Sequence, residues 1–218
     1  MRAITKKEIQ IALDDVGISS GQIIMVHSDL TRIGWVANAN SRIDILEFYF
    51  NSIMDQIGLE GTVVVLTCTE SFARDGVAFH YEESPSEQGV LSEFIRTKDN
   101  SVRSMHPLFS VAAHGVKSEL ICGTGICNTG FGYGSPFHKL YENDAKILCI
   151  GVDLLSMTFI HHIEQMYGVP YGYTKEWDNQ VYRSGKISKE RFFAFVRYLD
   201  AGIEYNFSKM QNLLLKRG

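Results

Sequence analysis

The sequence predicts an α/β protein in which helices sandwich a mixed central sheet. Three short apolar runs, at residues 23–28, 62–67 and 146–152, are rich in Ile, Val and Leu and are typical of buried strands. Segments with the apolar spacing of helices separate these runs along the chain. Such alternation of strands and helices favours a sheet that is covered on both faces.

The remaining elements are predicted from helix caps, from the spacing of apolar residues and from turn residues between the elements. Thr5 and Glu8 predict a capping box for an opening helix that ends near Gly17. Further predicted helices lie at 43–57, 91–97, 117–121, 156–166 and 188–216, and a further strand lies at 108–115. Polar residues 70–88 predict a long surface loop, and 132–137 a tight glycine turn.

Composition limits the class of protein. With 218 residues, 45% hydrophobic and 21% charged, the chain can bury one substantial core, so we expect one domain over residues 1–218. A net charge of −4 argues against a broad nucleic-acid-binding face. We expect four reduced cysteines and no membrane partner, since no apolar run approaches the ~20 residues of a span. The expected location is therefore the cytoplasm.

The strongest chemical signal is the pair His161 and Glu164 on the helix that follows the third apolar run. Residues three apart share one helix face, so the carboxylate can orient the imidazole and stabilise its protonated form, as a general base requires. The alternative is a partly buried histidine that only serves packing. His162 points about a third of a turn away, and we expect a structural role for it.

Three other segments are candidate binding sites. Arg103 and Ser104, followed by His106 and Pro107, could hold a phosphate or carbonyl oxygen. The loop that begins at Ser28 could cradle a phosphate with its backbone N–H groups, although it lacks the glycines and lysine of a P-loop. The turn at 132–137 either forms part of a binding site or only connects two elements of secondary structure.

In order along the chain, these pieces resemble the aminoglycoside 3-N-acetyltransferase family, whose fold differs from that of the GNAT acetyltransferases. The similar stretches are IIMVHSDLTRIGWV (23–36), GTVVVLT (61–67), SPSEQGVLSEFIR (84–96), VRSMHPLFSVAAHG (102–115), GYGSPFHKLYE (132–142) and ILCIGVDLLSMTFIHHIE (147–164). The resemblance extends from residue 4 to about residue 210.

The resemblance implies direct acetyl transfer from acetyl-CoA to an amine of an aminoglycoside or amino sugar, without a metal. It assigns His161 as base and Glu164 as its orienting or substrate-binding carboxylate. The implied residues of the CoA site are Ser28, Leu30, Gly34, Arg103, Ser104, His106, Ser135 and Pro136. The expected partners are CoA and a small-molecule amine. Assembly into a homodimer is an alternative that the sequence leaves open.

The sequence departs from the family pattern at three places. Residues 37–40 read Ala-Asn-Ala-Asn where the family has a Gly-Gly pair, and Leu66 replaces a proline of the second strand. The chain is also shorter at its C-terminus, which puts the antibiotic as acceptor in doubt.

Two alternative functions therefore stay open. One is a binding protein that kept the fold and lost the chemistry. The other is a metal-dependent hydrolase with His27, His106, His161 and Glu164 as ligands.

Overall fold

The computed structural model describes residues 3–199, 202–204 and 206–217. The α-helices are α1 (Lys6–Asp15), α2 (Arg42–Ile57), α3 (Glu70–Arg74), α4 (Val90–Arg96), α5 (Ser118–Cys122), α6 (Pro136–Glu142), α7 (Ile160–Tyr167) and α8 (Ser208–Arg217). Short 3₁₀ turns follow β1 at Leu30–Arg32 and β6 at Leu154–Ser156. Both halves of the predicted capping box between Thr5 and Glu8 are present at the start of α1.

The strands are β1 (Ile23–Ser28), β2 (Thr62–Leu66), β3 (Phe79–His80), β4 (Val102–Arg103), β5 (Val111–Gly115), β6 (Lys146–Ile150), β7 (Gly172–Arg183) and β8 (Lys186–Arg197). The main sheet has the order β4-β5-β2-β1-β6. β1 runs parallel to β2 and β6, whereas β5 pairs antiparallel with β2 and β4. The prediction of a mixed sheet is therefore confirmed.

Two apolar clusters cover the two faces of this sheet. Tyr49 and Ile53 of α2 pack with Val26 on one face. Met25, the preceding residue of β1, packs on the other face with Phe131 and other side chains. Because successive strand residues point to opposite faces, one apolar strand supplies both layers of the core. The predicted sandwich of helices around the sheet is confirmed.

The second sheet, β3-β7-β8, corrects the predicted helix at 188–216. Residues 186–197 form β8, and the helical part is α8, which begins at Ser208. Ser184 and Gly185 both have positive φ, at 48° and 72°, which suits a two-residue hairpin turn between β7 and β8. The aromatic and β-branched residues that follow favour a strand over a helix.

Two further sequence expectations fail in part. The segment 70–88 is not only surface loop, because Phe72 of α3 and Phe79 of β3 are buried at 2% and 0% exposure. The tight turn at 132–137 leads directly into α6, which the sequence analysis missed. Within the described ranges, no helix has the length and apolarity needed to cross a membrane.

Candidate functional site

A crevice opens where β1 and β6 end. After β1 the chain crosses to α2 on one face of the sheet, whereas after β6 Phe159 packs on the opposite face, beside Met25. Ligands of open α/β sheets bind at such a point, outside the carboxyl ends of the strands. A cavity of ≈ 320 Å³ occupies this position. Its polar lining residues are His27, Ser28, Gln88, Ser92, Ser156 and Thr158.

Gly151 brings the two loops of the crevice together. Its φ is +70°, and a Cβ at this position would lie 2.4 Å from the carbonyl oxygen of Asp29. Any side chain would push the loop after β6 away from the loop after β1. Glycine is therefore required for the close approach of these loops.

A second, apolar groove of ≈ 730 Å³ lies beside the first turn of α2. Leu30 and Gly34, two of the predicted CoA residues, line this groove together with Trp35 and Arg42. The Trp35 side chain is exposed at 53%. A half-exposed indole can stack on an aromatic ring of a ligand. A guanidinium at a helix N-terminus can bind an anion.

His161 and Glu164 form a hydrogen-bonded pair on α7. His161 Nδ1 lies 2.8 Å from Glu164 Oε2, and the carboxylate is almost fully buried while the imidazole is 31% exposed. Because the carboxylate accepts, Nδ1 carries the proton, and the neutral ring then has its lone pair on Nε2. The predicted spacing thus produces an oriented imidazole that can accept a proton from a ligand.

Tyr171 holds the other oxygen of the same carboxylate. Its hydroxyl donates to Glu164 Oε1 at 2.9 Å. Burial, together with this hydrogen bond, raises the pKa of Tyr171 to about 12, so its proton stays on the phenol at neutral pH. The sequence did not predict this contact, because Tyr171 lies beyond the end of α7, where helix spacing no longer relates it to Glu164.

His162 has a structural role, as expected. It is 4% exposed, and its Nδ1 donates to the carbonyl oxygen of Phe131 at 2.6 Å. Burial lowers its pKa. His161, by contrast, packs its ring 5.2 Å from the ring of Phe131. The two neighbouring histidines therefore contact the same residue, one at its carbonyl oxygen and the other at its ring.

Arg103 does not face a ligand, which corrects its predicted role in holding CoA phosphates. The side chain lies in the interior at 5% exposure. Its three guanidinium nitrogens donate to Ser110 Oγ, Ser84 O, Thr67 O and Thr69 Oγ1. Arg103 therefore cross-links the chain around β2 and β5, and these bonds use four of its five N–H donors.

Ser104 and His106 are also interior, which corrects their predicted contacts with the donor. Both are 0% exposed. Ser104 Oγ accepts from Val111 N at 2.9 Å and so extends the pairing of β4 with β5. His106 Nδ1 accepts from Phe109 N at 3.0 Å, and its Nε2 donates to Phe193 O at 3.2 Å.

We expect the protein to become less stable in acid because of His106. Burial lowers its pKa to about 4, whereas the unfolded chain keeps the usual value of about 6.5. Between these values the unfolded state binds the extra proton, so stability rises with pH and is lost as pH falls. From pH 6.5 to pH 5 the loss attributable to His106 should be about 2 kcal/mol.

Urea unfolding at pH 7.5, 6.5 and 5 measures this effect. His106→Gln should have a flatter dependence on pH than the unchanged protein, with His80→Gln as the control. Equal slopes for His106→Gln and the unchanged protein would contradict the assignment.

Ser135 and Pro136 begin α6 and do not line either cavity described above, which corrects their predicted contact with the thioester. Ser135 is 0% exposed, and its Oγ accepts from His138 N at 3.2 Å. Pro136 takes the first helical position, where a missing N–H costs nothing. This segment caps a helix.

The metal alternative required His27, His106, His161 and Glu164 in one cluster. Among the residues that the structure describes, no group of three or more His, Cys, Asp or Glu side chains is arranged to hold a metal ion. His106 is enclosed by Phe109 and Phe192, and its two ring nitrogens bond to backbone groups. The predicted ligand set is therefore wrong.

Comparisons with known proteins agree with the fold. A family model described as aminoglycoside 3-N-acetyltransferase matches residues 25–218. The SPbeta prophage-derived aminoglycoside N(3')-acetyltransferase-like protein YokD of Bacillus subtilis (strain 168) is 27% identical over 188 residues, 77% of this chain and 66% of that protein. The chain thus spans just under two thirds of this relative.

Two solved structures share the fold. AAC-IIIb in a binary complex with CoASH superposes with a TM-score of 0.83 at 23% identity, over 100% of this chain and 86% of that one. AAC-VIa bound to sisomicin gives a TM-score of 0.81 at 20% identity, over 100% and 87% of the two chains. At these identities the likeness concerns the fold alone.

Proposed function

Because the chain belongs to the aminoglycoside 3-N-acetyltransferase family, a family of acyltransferases, we propose that it transfers an acetyl group from acetyl-CoA to an amine. The proposed acceptor is an aminoglycoside or another amino sugar. The observation that carries the proposal is the His161–Glu164 pair, held 2.8 Å apart beside the crevice at the strand ends. An oriented imidazole is the group that removal of a proton from an amine requires.

The apolar groove beside α2 has side chains that suit CoA. The solved relative AAC-IIIb binds CoASH. In this chain, the apolar groove along Leu30 and Gly34 offers Trp35 for the adenine ring and Arg42 for a phosphate. Ser28, two residues before Leu30, lines the polar cavity where the thioester would end. We therefore retain Ser28, Leu30 and Gly34 as proposed CoA residues.

His161 and Glu164 then carry the proton of the reaction. An amine with a pKa near 8 is largely protonated at neutral pH, so a base must free its lone pair. His161 Nε2 takes that proton, and Glu164 stabilises the imidazolium. The amine nitrogen bonds to the acetyl carbon, the carbon–sulfur bond breaks, and the sulfur leaves with the bonding electrons. Of the two protons that the ammonium group loses, one passes through His161 to the sulfur and the other passes to solvent.

Carboxylates lie where a cationic acceptor would bind. Asp153 and Glu204 line a polar cavity of ≈ 340 Å³, and Leu155 lines both this cavity and the one at the strand ends. A ligand with several ammonium groups is attracted to such carboxylates, more strongly at low salt. This favours an acceptor with more than one amine.

A thiol-release assay with acetyl-CoA tests the proposal. The panel consists of sisomicin, other aminoglycosides and nucleotide-linked amino sugars, and the protein is treated with chelator first. Release of thiol that depends on an amine supports acetyl transfer. Calorimetric binding of CoA without turnover of any amine would instead favour a binding protein that lost the chemistry.

We expect Tyr171→Phe to lower kcat about tenfold, because a hydrogen bond to a charged group contributes about 1.5–3 kcal/mol. The KM for acetyl-CoA should stay within about twofold, since Tyr171 contacts Glu164 and not the donor. Tyr173→Phe is the matched control, as its ring stacks on Tyr198 at 5.1 Å. Steady-state kinetics give both constants. An equal loss of kcat in the control would contradict a positioning role for Tyr171.

A further inference from the structure

His27 is a buried histidine with an unused polar atom. It lies one residue before the end of β1 and is 8% exposed. Among the described residues its Nε2 has no hydrogen-bond partner. Burial lowers the pKa of His27 to about 4, so the ring is neutral at neutral pH. Native proteins rarely leave a buried polar atom without a partner, and such atoms cluster at functional sites.

His27 is one of the residues that line the crevice at the strand ends. It lines the ≈ 320 Å³ cavity together with the hydroxyl-bearing residues Ser28, Ser92, Ser156 and Thr158 and the amide of Gln88. A ligand that enters this cavity meets a neutral imidazole set among hydroxyl and amide groups. Such a lining recognises an uncharged polar group better than it recognises an anion or a hydrocarbon.

His27 and His161 lie on the same side of the main sheet. Side chains two apart on a strand point to one face, so His27 follows Met25, which packs with Phe131. The His161 ring lies 5.2 Å from that of Phe131. In addition, Thr158 lines the cavity of His27, and its carbonyl oxygen accepts from His161 N at 3.1 Å.

We infer that His27 is a further catalytic residue, whose Nε2–H donates a hydrogen bond to the carbonyl oxygen of the acetyl group. The inference rests on the proposed function. As the amine nitrogen bonds to the carbonyl carbon, the π electrons move onto this oxygen, and a fixed donor in a site with little water stabilises the charge. When the carbon–sulfur bond breaks, the electrons return and His27 keeps its proton.

A neutral His27 ring suits the role of a permanent hydrogen-bond donor. A histidine that titrated near neutral pH would exchange its proton with His161 or with solvent, whereas a ring that stays neutral remains a donor through the cycle. Without a ligand the same atom has no partner, so it destabilises the free protein. Activity and stability are therefore expected to change in opposite directions when the ring is replaced by an apolar side chain.

Three variants test the inference. His27→Leu removes both ring nitrogens, His27→Gln places an amide near Nε2, and His27→Asn places one near Nδ1. We expect His27→Leu to keep or raise Tm while kcat falls about a hundredfold, the usual effect of losing one such donor. His27→Gln should retain more activity than His27→Asn. A lower Tm for His27→Leu with unchanged kcat per folded molecule, or greater activity in His27→Asn, would overturn the inference.

A spectroscopic measurement tests the contact without turnover. In protein labelled with ¹⁵N-histidine, the resonance absent from His27→Leu identifies His27. Acetonyl-CoA, which carries a carbonyl group but cannot transfer an acetyl group, should shift the Nε2–H resonance, and CoA should shift it less. Equal shifts with the two ligands, or none with acetonyl-CoA, would overturn the contact. If the unchanged protein releases no thiol with any amine, the proposed function fails, and this measurement still decides whether His27 contacts a carbonyl group.

Discussion

His161→Asn should lower kcat by about a hundredfold or more, the usual scale for loss of a general base, while the affinity for CoA stays unchanged. The amide can still bond to Glu164, so the variant should fold. The residual rate should rise with pH, because an acceptor amine loses its proton unaided once the pH exceeds about 8. Initial rates of thiol release from pH 6 to 10 measure this.

The control is His80→Asn, because His80 stacks on Tyr182 in the second sheet, away from α7. It should have the kcat of the unchanged protein at every pH. The general-base role is falsified if His161→Asn folds and retains that kcat.

Arg103→Met should destabilise the protein by about 3 kcal/mol or more, because it removes four hydrogen bonds of a buried guanidinium, and a hydrogen bond to a charged group contributes about 1.5–3 kcal/mol. The acceptors are Ser110 Oγ, Ser84 O, Thr67 O and Thr69 Oγ1. Arg103→Lys should recover only part of the loss, since an ammonium cannot supply the donors of a planar guanidinium in these directions. Denaturant unfolding monitored by circular dichroism gives both values.

Arg191→Met is the matched control, since that side chain is 72% exposed and lies 3.6 Å from Glu176. Its stability should change by about 0.5 kcal/mol or less. If Arg103→Met were as stable as the unchanged protein but bound CoA more weakly, Arg103 would be a ligand contact after all.

Local sequence patterns were enough to predict three strands of the central sheet and the pair on α7. Three apolar runs gave β1, β2 and β6, because a strand buried on both faces must be apolar at nearly every position. The contact between His161 and Glu164 was equally predictable. Their spacing places them on one face of a helix, whatever else packs around it.

Only the tertiary structure decided which polar residues face the crevice. Arg103, Ser104 and His106 form a polar segment that suits a phosphate site in isolation, yet all three are buried. The Arg103 partners lie 7 to 36 positions away in the sequence, so no local pattern could reveal that its donors are already used. Residue type records what a side chain can bind, whereas burial depends on segments far away in the chain.

The same reason explains β8, Tyr171 and His27. Residues 186–197 have apolar side chains at a spacing that also fits a helix, but they are rich in aromatic and β-branched residues, and pairing with β7 makes the segment a strand. Tyr171 is placed by the start of the second sheet, and His27 Nε2 has no hydrogen-bond partner within the part of the chain that the structure describes. The sequence thus determined the elements whose contacts are local or uniformly apolar, and packing between distant segments decided the donors and acceptors of the site.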